Sequence, residues 1–244
     1  MKTFSITDIG MCRKMNQDFC YTSELPVGNL PNLFIVADGM GGHNAGEYAS
    51  RYTVETIVRV ARASFCTKPA DIIGEAVKAA NEELLLKAAQ DASMAGMGTT
   101  VVTAVISGNR LYAANVGDSR LYIVNEQMWQ ITRDHSYVEE MVRRGELKRE
   151  AARLHPNKNI ITRAVGAVRD IQIDFFETEI GYGDEILLCS DGLTNMVEDE
   201  DIRRIIKGQR DTAEKAERLI QAANQNGGMD NITVVVIDPL SDGM

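Results

Sequence analysis

Residues 99–124 of the chain read TTVVTAVISGNRLYAANVGDSRLYIV, and this stretch decides the fold class. The β-branched run at 99–106 predicts a strand. Gly108-Asn109 is a hairpin signal, and a second predicted strand at 110–116 follows it. A third strand is predicted at 120–124, which would complete an antiparallel meander. The stretch therefore predicts a sheet built from hairpins.

Predicted helices and strands elsewhere in the chain come in separate blocks. Apolar residues at helical spacing predict helices at 46–65 and 69–89, and again at 199–207 and 212–224. The other predicted elements are strands at 33–37, 171–176, 185–189 and 232–237 and a charged helical stretch at 136–154. Because helices and strands do not alternate, we expect an α+β fold with helices covering two packed sheets. No linker or repeat divides the chain, so we expect one domain over residues 1–244.

Composition argues against several classes of protein. The formal net charge of −9 and the sequence pI of about 4.9 argue against a nucleic-acid-binding surface. No apolar run approaches the roughly 20 residues that cross a bilayer, and the N-terminus does not resemble a signal peptide. We therefore expect a cytoplasmic protein without membrane insertion. Cys12, Cys20, Cys66 and Cys189 form no C-x-x-C pair, which predicts reduced, buried thiols and no zinc site.

Three aspartates stand at the edges of apolar strands, each with glycine close by. Asp38 and Asp191 each follow an apolar run and precede a glycine, and Asp230 precedes the last strand. Such carboxylates, brought together, would repel one another unless cations bound them, and Mg²⁺ or Mn²⁺ prefer oxygen ligands. For any one aspartate alone, capping a helix or closing a turn is the better explanation, because Asp-Gly is common in turns. Spacing alone leaves both interpretations open.

Residues 36–47 read VADGMGGHNAGE and closely resemble the glycine-rich signature of bacterial PP2C protein phosphatases. Further matching stretches occur in the family's order along essentially the whole chain. They are RKMNQD at 13–18, MGTT at 97–100, NVGDSR at 115–120, DHS at 134–136, TRAVG at 162–166, LCSDGL at 188–193 and DNIT at 230–233. The resemblance implies a four-layer α-β-β-α sandwich with two central, mainly antiparallel sheets. It also implies metal-dependent hydrolysis of phosphoserine and phosphothreonine on proteins.

The resemblance implies a site of two Mg²⁺ or Mn²⁺ ions with a role for each of five residues. Asp38 is implied to bridge the two ions, and the Gly39 carbonyl to bind the second. Asp191 and Asp230 are implied to bind the first ion, and Asp18 the second, directly or through water. A water shared by two ions about 3.5–4 Å apart can attack phosphorus in line, so no enzyme nucleophile is needed.

Three further positions have implied or open roles. Asp118 is implied to hold a third, weaker ion together with Asp191, although closing a turn remains an alternative role for it. Arg13 resembles the family's phosphate-binding arginine, and a guanidinium suits two phosphate oxygens at once. Animal members carry a histidine, proposed as the general acid, where this chain has Met40. His43 is the nearest histidine, and it either protonates the leaving group or binds neighbouring backbone.

Three functions remain open at this stage. The first is a phosphoserine/phosphothreonine phosphatase opposing a bacterial Ser/Thr kinase, and the second is a regulatory phosphatase of one partner, such as an anti-sigma antagonist. The third is a non-catalytic member that binds a partner, which the complete set of aspartates argues against. We expect an enzyme that is monomeric and acts on phosphorylated proteins. Residues 145–161 stand where the family has its variable flap, whose positive charge either meets an acidic or phosphorylated substrate or is simply solvated.

Overall fold

The structure, a computed structural model, describes residues 1–42, 44–208 and 210–240, which contain eleven β-strands and seven α-helices. The strands are β1 (Lys2–Asp8), β2 (Asp18–Ser23), β3 (Leu33–Met40), β4 (Gly98–Thr99), β5 (Val101–Ser107), β6 (Arg110–Val116), β7 (Arg120–Val124), β8 (Met128–Gln130), β9 (Asp174–Glu179), β10 (Glu185–Cys189) and β11 (Ile232–Asp238). The helices are α1 (Ala45–Ala63), α2 (Pro69–Gln90), α3 (Tyr137–Arg143), α4 (Arg149–Ala152), α5 (Asp191–Thr194), α6 (Asp199–Ile206) and α7 (Thr212–Gln225). A short 3-10 helix spans Ala92–Met94.

The strands form two sheets. The first sheet has the order β1-β11-β10-β7-β8, and the second has the order β2-β3-β5-β6-β9, with β4 paired to β3. Neighbouring strands in both sheets run antiparallel. The predicted α+β fold with two mainly antiparallel sheets is confirmed.

Alternating side chains along the central strands divide the interior into three apolar layers. On β3, Ile35 packs among residues of α1 and α2, whereas Phe34 packs between the two sheets. On β10, Leu187 packs among residues of α6 and α7, whereas Leu188 again faces the space between the sheets. This period of two follows from the pleat of a strand. Burying each such side chain contributes about 1.5–3 kcal/mol, so the layers hold the α-β-β-α sandwich together.

Local signals determine where several helices begin. Pro69 occupies the first turn of α2, where its missing N–H has no helical partner to lose. The Asp211 side chain caps α7 by accepting from Glu214 N at 2.8 Å, and the Ser136 side chain caps α3 in the same way.

No helix within the described residues is both long enough and apolar enough to span a bilayer. All four cysteines are free, but only Cys189 is buried, so the predicted burial is wrong for Cys12, Cys20 and Cys66.

The predicted meander at 99–124 is wrong in its last strand. β5 and β6 pair across the Gly108-Asn109 turn, but β7 belongs to the other sheet, where it pairs with β8 and β10. The chain therefore crosses from one sheet to the other at residues 117–119. The crossing brings Asp118 to the end of the sandwich at which Asp38 lies on β3, Asp191 follows β10 and Asp230 precedes β11.

Two other predicted elements differ in the structure. The helical stretch at 136–154 is broken into α3 and α4, because Gly145 between them adopts a left-handed φ of +73°. The strand predicted at 171–176 begins only at Asp174. Its pairing with β6 starts there, where Asp174 lies opposite Asn115. The strands β1, β2 and β8 were not predicted, because their half-buried residues alternate only weakly between apolar and polar.

Candidate active site

Five aspartates converge at one end of the sandwich. Asp18 and Asp38 are register partners on β2 and β3, and Asp118 lies at the crossing between the sheets. Asp191 begins α5 directly after β10, and Asp230 precedes β11. Desolvation, followed by the negative charges of the other four aspartates, raises the pKa of Asp38 well above its ordinary value. The structure therefore brings together all five carboxylates that the sequence singled out.

The backbone of Asp38 is held on both sides by threonines. Asp38 N donates to Thr100 Oγ1 at 2.9 Å, and Thr100 N donates to Asp38 O at 2.9 Å. Thr99 Oγ1 donates to the same carbonyl at 2.8 Å. Thr100 Oγ1 also shares a hydrogen bond of 2.7 Å with Ser119 Oγ, next to Asp118. These contacts fix the Asp38 backbone relative to the crossing between the sheets.

Gly39 lies where two stretches of backbone meet. Its N–H donates to Gln17 O at 3.0 Å. A Cβ at this position would lie 2.0 Å from Gly46 O and 2.6 Å from Gln17 O, so any side chain would force the backbone apart. The glycine that follows Asp38 therefore lets the start of α1 and the residue before β2 approach β3.

Asp18 is held at one oxygen and lacks a partner at the other. Its side chain is 5% exposed, and its Oδ2 accepts from Ser190 Oγ at 2.7 Å. Ser190 Oγ in turn accepts from Thr233 N at 2.9 Å. Asp18 Oδ1 is buried and has no hydrogen-bond partner among the described residues. Desolvation is the main cause that raises the pKa of Asp18 to about 7.

Asp191, like Asp18, is held at one carboxylate oxygen and lacks a partner at the other. Its Oδ2 accepts from Asn195 Nδ2 at 2.8 Å, and its Oδ1 is buried without a hydrogen-bond partner in the described part of the chain. Desolvation and the charge of Asp230 raise its pKa to about 6. Desolvation and the charge of Asp191 likewise raise the pKa of Asp118, which is 8% exposed, well above its ordinary value, although the Arg120 guanidinium opposes this shift.

Arg13 joins the site through an ion pair. Its Nη2 donates to Asp230 Oδ2 at 2.7 Å, while about half of the Arg13 side chain remains exposed. The other Asp230 oxygen, Oδ1, accepts from Asn231 N at 2.8 Å. The arginine predicted to bind phosphate therefore lies in the site, on one of the proposed metal ligands. His43 lies outside the described residues, so its predicted role is not tested.

Asn231 organises the site and was not singled out from the sequence. Its Oδ1 accepts from Gln17 N at 2.8 Å, and its Nδ2 donates to Ile9 O at 3.0 Å and Met15 O at 2.9 Å. These bonds hold the loop that carries Arg13 against the start of β11. The sequence did contain a signal for this role, because Asn231 stands between Asp230 and the apolar last strand. A polar side chain that is buried at such a position needs hydrogen-bond partners.

His135 holds the loop that carries Asp118. Its N donates to Gly117 O at 2.9 Å, and Gly117 N donates to His135 Nδ1 at 3.1 Å. The His135 Nε2 lies 3.1 Å from Asp174 Oδ2, and desolvation is the first cause that lowers the His135 pKa. Gly117 has a φ of +108°, which favours glycine. His135 therefore organises a turn.

The unpaired oxygens allow a test of whether the site suits divalent cations. Within the described residues, no three acidic, histidine or cysteine side chains form a closed ligand set. However, Asp18 Oδ1 and Asp191 Oδ1 are both buried without a partner, which is unfavourable for ionised carboxylates. Mutual repulsion among the aspartates adds to that penalty, and a cation would remove it. Oxygen ligands of this kind fit Mg²⁺ or Mn²⁺.

A cleft of about 540 Å³ is lined by Asp118 and Asp191 and by residues of the flap. Two flap arginines that line it are already paired within the chain. Arg149 forms an ion pair with Glu139, and Arg153 forms one with Glu198. These two of the four lysines and arginines in the flap are therefore balanced by carboxylates outside it.

Comparison with known proteins agrees with this architecture. The family model described as Protein phosphatase 2C matches residues 13–233. The chain is 40% identical over 237 residues to the serine/threonine phosphatase stp of Listeria innocua, which covers 95% of this chain and 93% of that protein. The crystal structure of the serine/threonine phosphatase Stp1 from Staphylococcus aureus superposes with a TM-score of 0.90 at 34% identity, covering 96% of this chain and 93% of that chain.

A second solved structure is a complex with metal ions. It is the catalytic domain of the serine threonine protein phosphatase PstP in complex with 2 manganese ions, with a TM-score of 0.85 at 33% identity and 96% of each chain covered. The family match and the relatives span nearly the whole chain, and the resemblance noted in the sequence is confirmed. The chain belongs to the protein phosphatase 2C family and is a protein serine/threonine phosphatase.

Proposed function

We propose that this phosphatase hydrolyses phosphoserine and phosphothreonine by the attack of water at a site for two Mg²⁺ or Mn²⁺ ions. The proposed ligands are Asp18, Asp38, the Gly39 carbonyl, Asp191 and Asp230. The observation that supports the proposal most is the convergence of these carboxylates, two of which have a buried oxygen without a partner. When bound, such cations lower the pKa of a water molecule and neutralise charge on the phosphoryl group.

The protein's own contribution is to hold the carboxylates in place before substrate arrives. Thr99 and Thr100 fix the Asp38 backbone, and Ser190 holds one oxygen of Asp18. Groups held in this way need little reorganisation during the reaction, which lowers the barrier.

Arg13 is proposed to bind the phosphate of the substrate. Its Nη2 pairs with Asp230, and the exposed half of its side chain can present further N–H groups to a phosphoryl oxygen. This contact would orient the phosphorus for in-line attack and balance part of the negative charge at Asp230.

Two residues beside Asp191 are poor candidates for an enzyme nucleophile. Cys189 is fully buried, and desolvation raises its pKa. The Ser190 hydroxyl is occupied by bonds to Asp18 and Thr233. Both observations support attack by water instead of by a covalent route through these side chains.

Two finer assignments belong to the same proposal. Asp118, with Asp191, is proposed to hold a third and weaker cation. The general acid for the leaving hydroxyl stays a prediction, with His43 as the candidate from the sequence. The chain's substrates are phosphorylated proteins, and we propose that it opposes a Ser/Thr kinase as a monomer in the bacterial cytoplasm.

A substrate panel tests the proposal. Purified protein is assayed on phosphoserine, phosphothreonine and phosphotyrosine peptides, with Mn²⁺ and after exhaustive chelation by EDTA. We expect turnover of the first two peptides with Mn²⁺ and none in EDTA. Substantial turnover after chelation would rule out the metal mechanism. Activity confined to a single phosphoprotein would favour the regulatory alternative, which no feature of the site favours at present.

A further inference from the structure

A chain of hydrogen bonds runs from the outer strand of the second sheet to the residue before Asp118. Asp174 begins β9, the last strand of that sheet, and its Oδ2 lies 3.1 Å from His135 Nε2. On the other side of the imidazole ring, His135 Nδ1 accepts from Gly117 N at 3.1 Å. His135 is 5% exposed and Gly117 is buried, so the ring lies between two protein partners with little access to solvent.

The bond from Gly117 determines which nitrogen of His135 carries the proton. A backbone N–H can only donate, so His135 Nδ1 must present a lone pair. In a neutral imidazole the proton then lies on Nε2, which donates it to Asp174 Oδ2. An ionised carboxylate can only accept, so Asp174 matches this tautomer and opposes the other.

Arg163 makes the carboxylate of Asp174 necessary for this tautomer. Arg163 Nη1 lies 3.2 Å from His135 Nε2 and donates to Asp174 Oδ1 at 2.9 Å. A guanidinium has donors only, so beside Nε2 it favours the tautomer that has a lone pair there. That tautomer would place the ring proton on Nδ1, against the Gly117 N–H, and break the bond between them. Asp174 therefore opposes the preference that Arg163 would otherwise impose.

Loss of the bond between His135 and Gly117 would disturb the turn that carries Asp118. Gly117 has a φ of +108°, and a Cβ there would lie 2.6 Å from the Thr100 side chain, so the turn is tightly packed. Leaving the buried Gly117 N–H against another donor is unfavourable, and the backbone must shift to relieve the contact. Asp118 follows directly and would move with it.

We propose that Asp174 is a positioning residue for Asp118 and acts by holding His135 in the tautomer that binds Gly117. The tautomer depends on the chain's own residues and needs no bound ion. The effect on turnover rests on the proposed role of Asp118 in holding a third cation. A displaced Asp118 would bind that cation more weakly, so turnover should require more Mn²⁺ while KM for a phosphopeptide stays the same.

Asp174→Asn tests the tautomer without changing the shape of the side chain. Arg163 requires an acceptor, so we expect the amide oxygen of the new side chain to face Arg163 and its NH₂ group to face His135 Nε2. The ring proton should then move to Nδ1. Nitrogen NMR of metal-free protein with isotope-labelled histidine distinguishes the two tautomers, and the chain has only three histidines to assign. A wild-type His135 signal in Asp174→Asn would overturn the proposal.

Amide hydrogen exchange of the same metal-free proteins measures the position of the turn. In Asp174→Asn we expect Gly117 N–H to exchange at least about tenfold faster than in the wild type, because its bond is lost. Asp170→Asn, an exposed aspartate, is the control and should leave this exchange unchanged. Wild-type exchange at Gly117 in Asp174→Asn would overturn the positioning of the turn.

His135→Asn tests whether Asp174 acts through His135. The amide oxygen of this shorter side chain reaches the position of Nδ1 and accepts from Gly117 whatever lies beyond it. Adding Asp174→Asn to His135→Asn should therefore not speed exchange at Gly117 further, which is the non-additivity expected of residues in one network. The full effect of Asp174→Asn in this background would show that Asp174 acts by another route and would overturn the proposal.

Mn²⁺ titration of turnover connects the tautomer to the reaction. We expect Asp174→Asn to need at least about threefold more Mn²⁺ than the wild type for half-maximal turnover, with KM for a phosphothreonine peptide unchanged. A wild-type Mn²⁺ requirement in Asp174→Asn, when that of Asp118→Ala is raised, would overturn the link to turnover. Failure of the proposed third cation would appear separately, as a wild-type Mn²⁺ requirement in Asp118→Ala, and would leave the NMR and exchange results to decide the positioning.

Discussion

Asp18 and Asp38 stand directly opposite each other on the antiparallel strands β2 and β3. Two like charges at one register position destabilise a sheet. The pKa values of both side chains are raised, first by desolvation and then by neighbouring carboxylates. The pair therefore lowers the stability of the metal-free fold, and the proposed cations would relieve this effect.

Replacing Asp38 should separate stability from activity. Asp38→Asn keeps the side-chain shape and removes the charge, so we expect turnover with saturating Mn²⁺ to fall at least about a hundredfold. In EDTA at pH 8 the variant should melt at a higher temperature than the wild type, because one repulsive carboxylate is gone. Asp191→Asn and Asp230→Asn should lose as much activity. Asp170→Asn, an exposed aspartate outside the site, is the control. Near-normal turnover in any of the three site variants would show that its carboxylate is not a ligand.

The stability of the metal-free protein should fall as pH rises from about 4 to 7. Asp18 and Asp191 have folded-state pKa values of about 7 and about 6, against an ordinary value of 3.8 for an aspartate. In this range the folded protein holds protons that the unfolded chain has released, so unfolding releases protons and is favoured by higher pH. Thermal unfolding in EDTA at pH 5, 6, 7 and 8 measures the effect.

Asp18→Asn provides the control for that pH dependence, because it removes the group with the higher of the two pKa values. We expect the variant's melting temperature in EDTA to change less between pH 5 and 7 than that of the wild type. Mn²⁺ should raise the wild-type melting temperature more at pH 7 than at pH 5, since the cation binds ionised carboxylates. A wild-type melting temperature that rises with pH in EDTA would refute the prediction.

Arg13→Ala should mainly raise KM for phosphopeptides. Losing a charge-assisted phosphate contact removes about 1.5–3 kcal/mol, or roughly ten- to a hundredfold in affinity. Lys14→Ala is the control, because Lys14 is also an exposed cation, at the next position. Steady-state kinetics on one phosphothreonine peptide distinguishes the two variants. Equal KM and kcat in wild type and Arg13→Ala would mean that the Arg13–Asp230 ion pair is only structural.

Asp118→Ala tests the proposed third cation. A site with few protein carboxylates binds its ion weakly, so we expect the variant to stay folded and to keep the two tighter ions while turnover falls. Mn²⁺ titration of binding and of activity, side by side, gives the measurement. If the variant keeps full turnover at every Mn²⁺ concentration, or unfolds, Asp118 serves only to close the crossing between the sheets.

The sequence predicted the layered fold because its strongest patterns belong to the interior strands and amphipathic helices. The apolar runs of β3, β10 and β11 were recognisable without any knowledge of their neighbours. The assignment of β7 to a sheet was not, because local sequence does not say whether a strand continues a hairpin or pairs with β10, more than 60 residues later. The weakly alternating β1 and β2 acquire their role only through pairing with β11 and β3.

The sequence predicted the acidic residues of the candidate site. It did not predict the contacts that hold these residues in place. Asp-Gly motifs and the family resemblance identified the carboxylates. The Ser190–Asp18 and Asn231–Gln17 bonds join residues 172 and 214 positions apart, which no local pattern reports. The Arg13–Asp230 pair was missed for the same reason.

The central claim is that Asp18, Asp38, Asp191 and Asp230 hold the cations that activate water. An anomalous difference map from crystals grown with Mn²⁺ tests it most directly. The account predicts two strong peaks, each about 2.1 Å from an Asp38 carboxylate oxygen. One peak should also contact Asp191 and Asp230, and the other should lie near the Gly39 carbonyl and Asp18. Crystals of the active enzyme with no peak in contact with Asp38 would contradict the account.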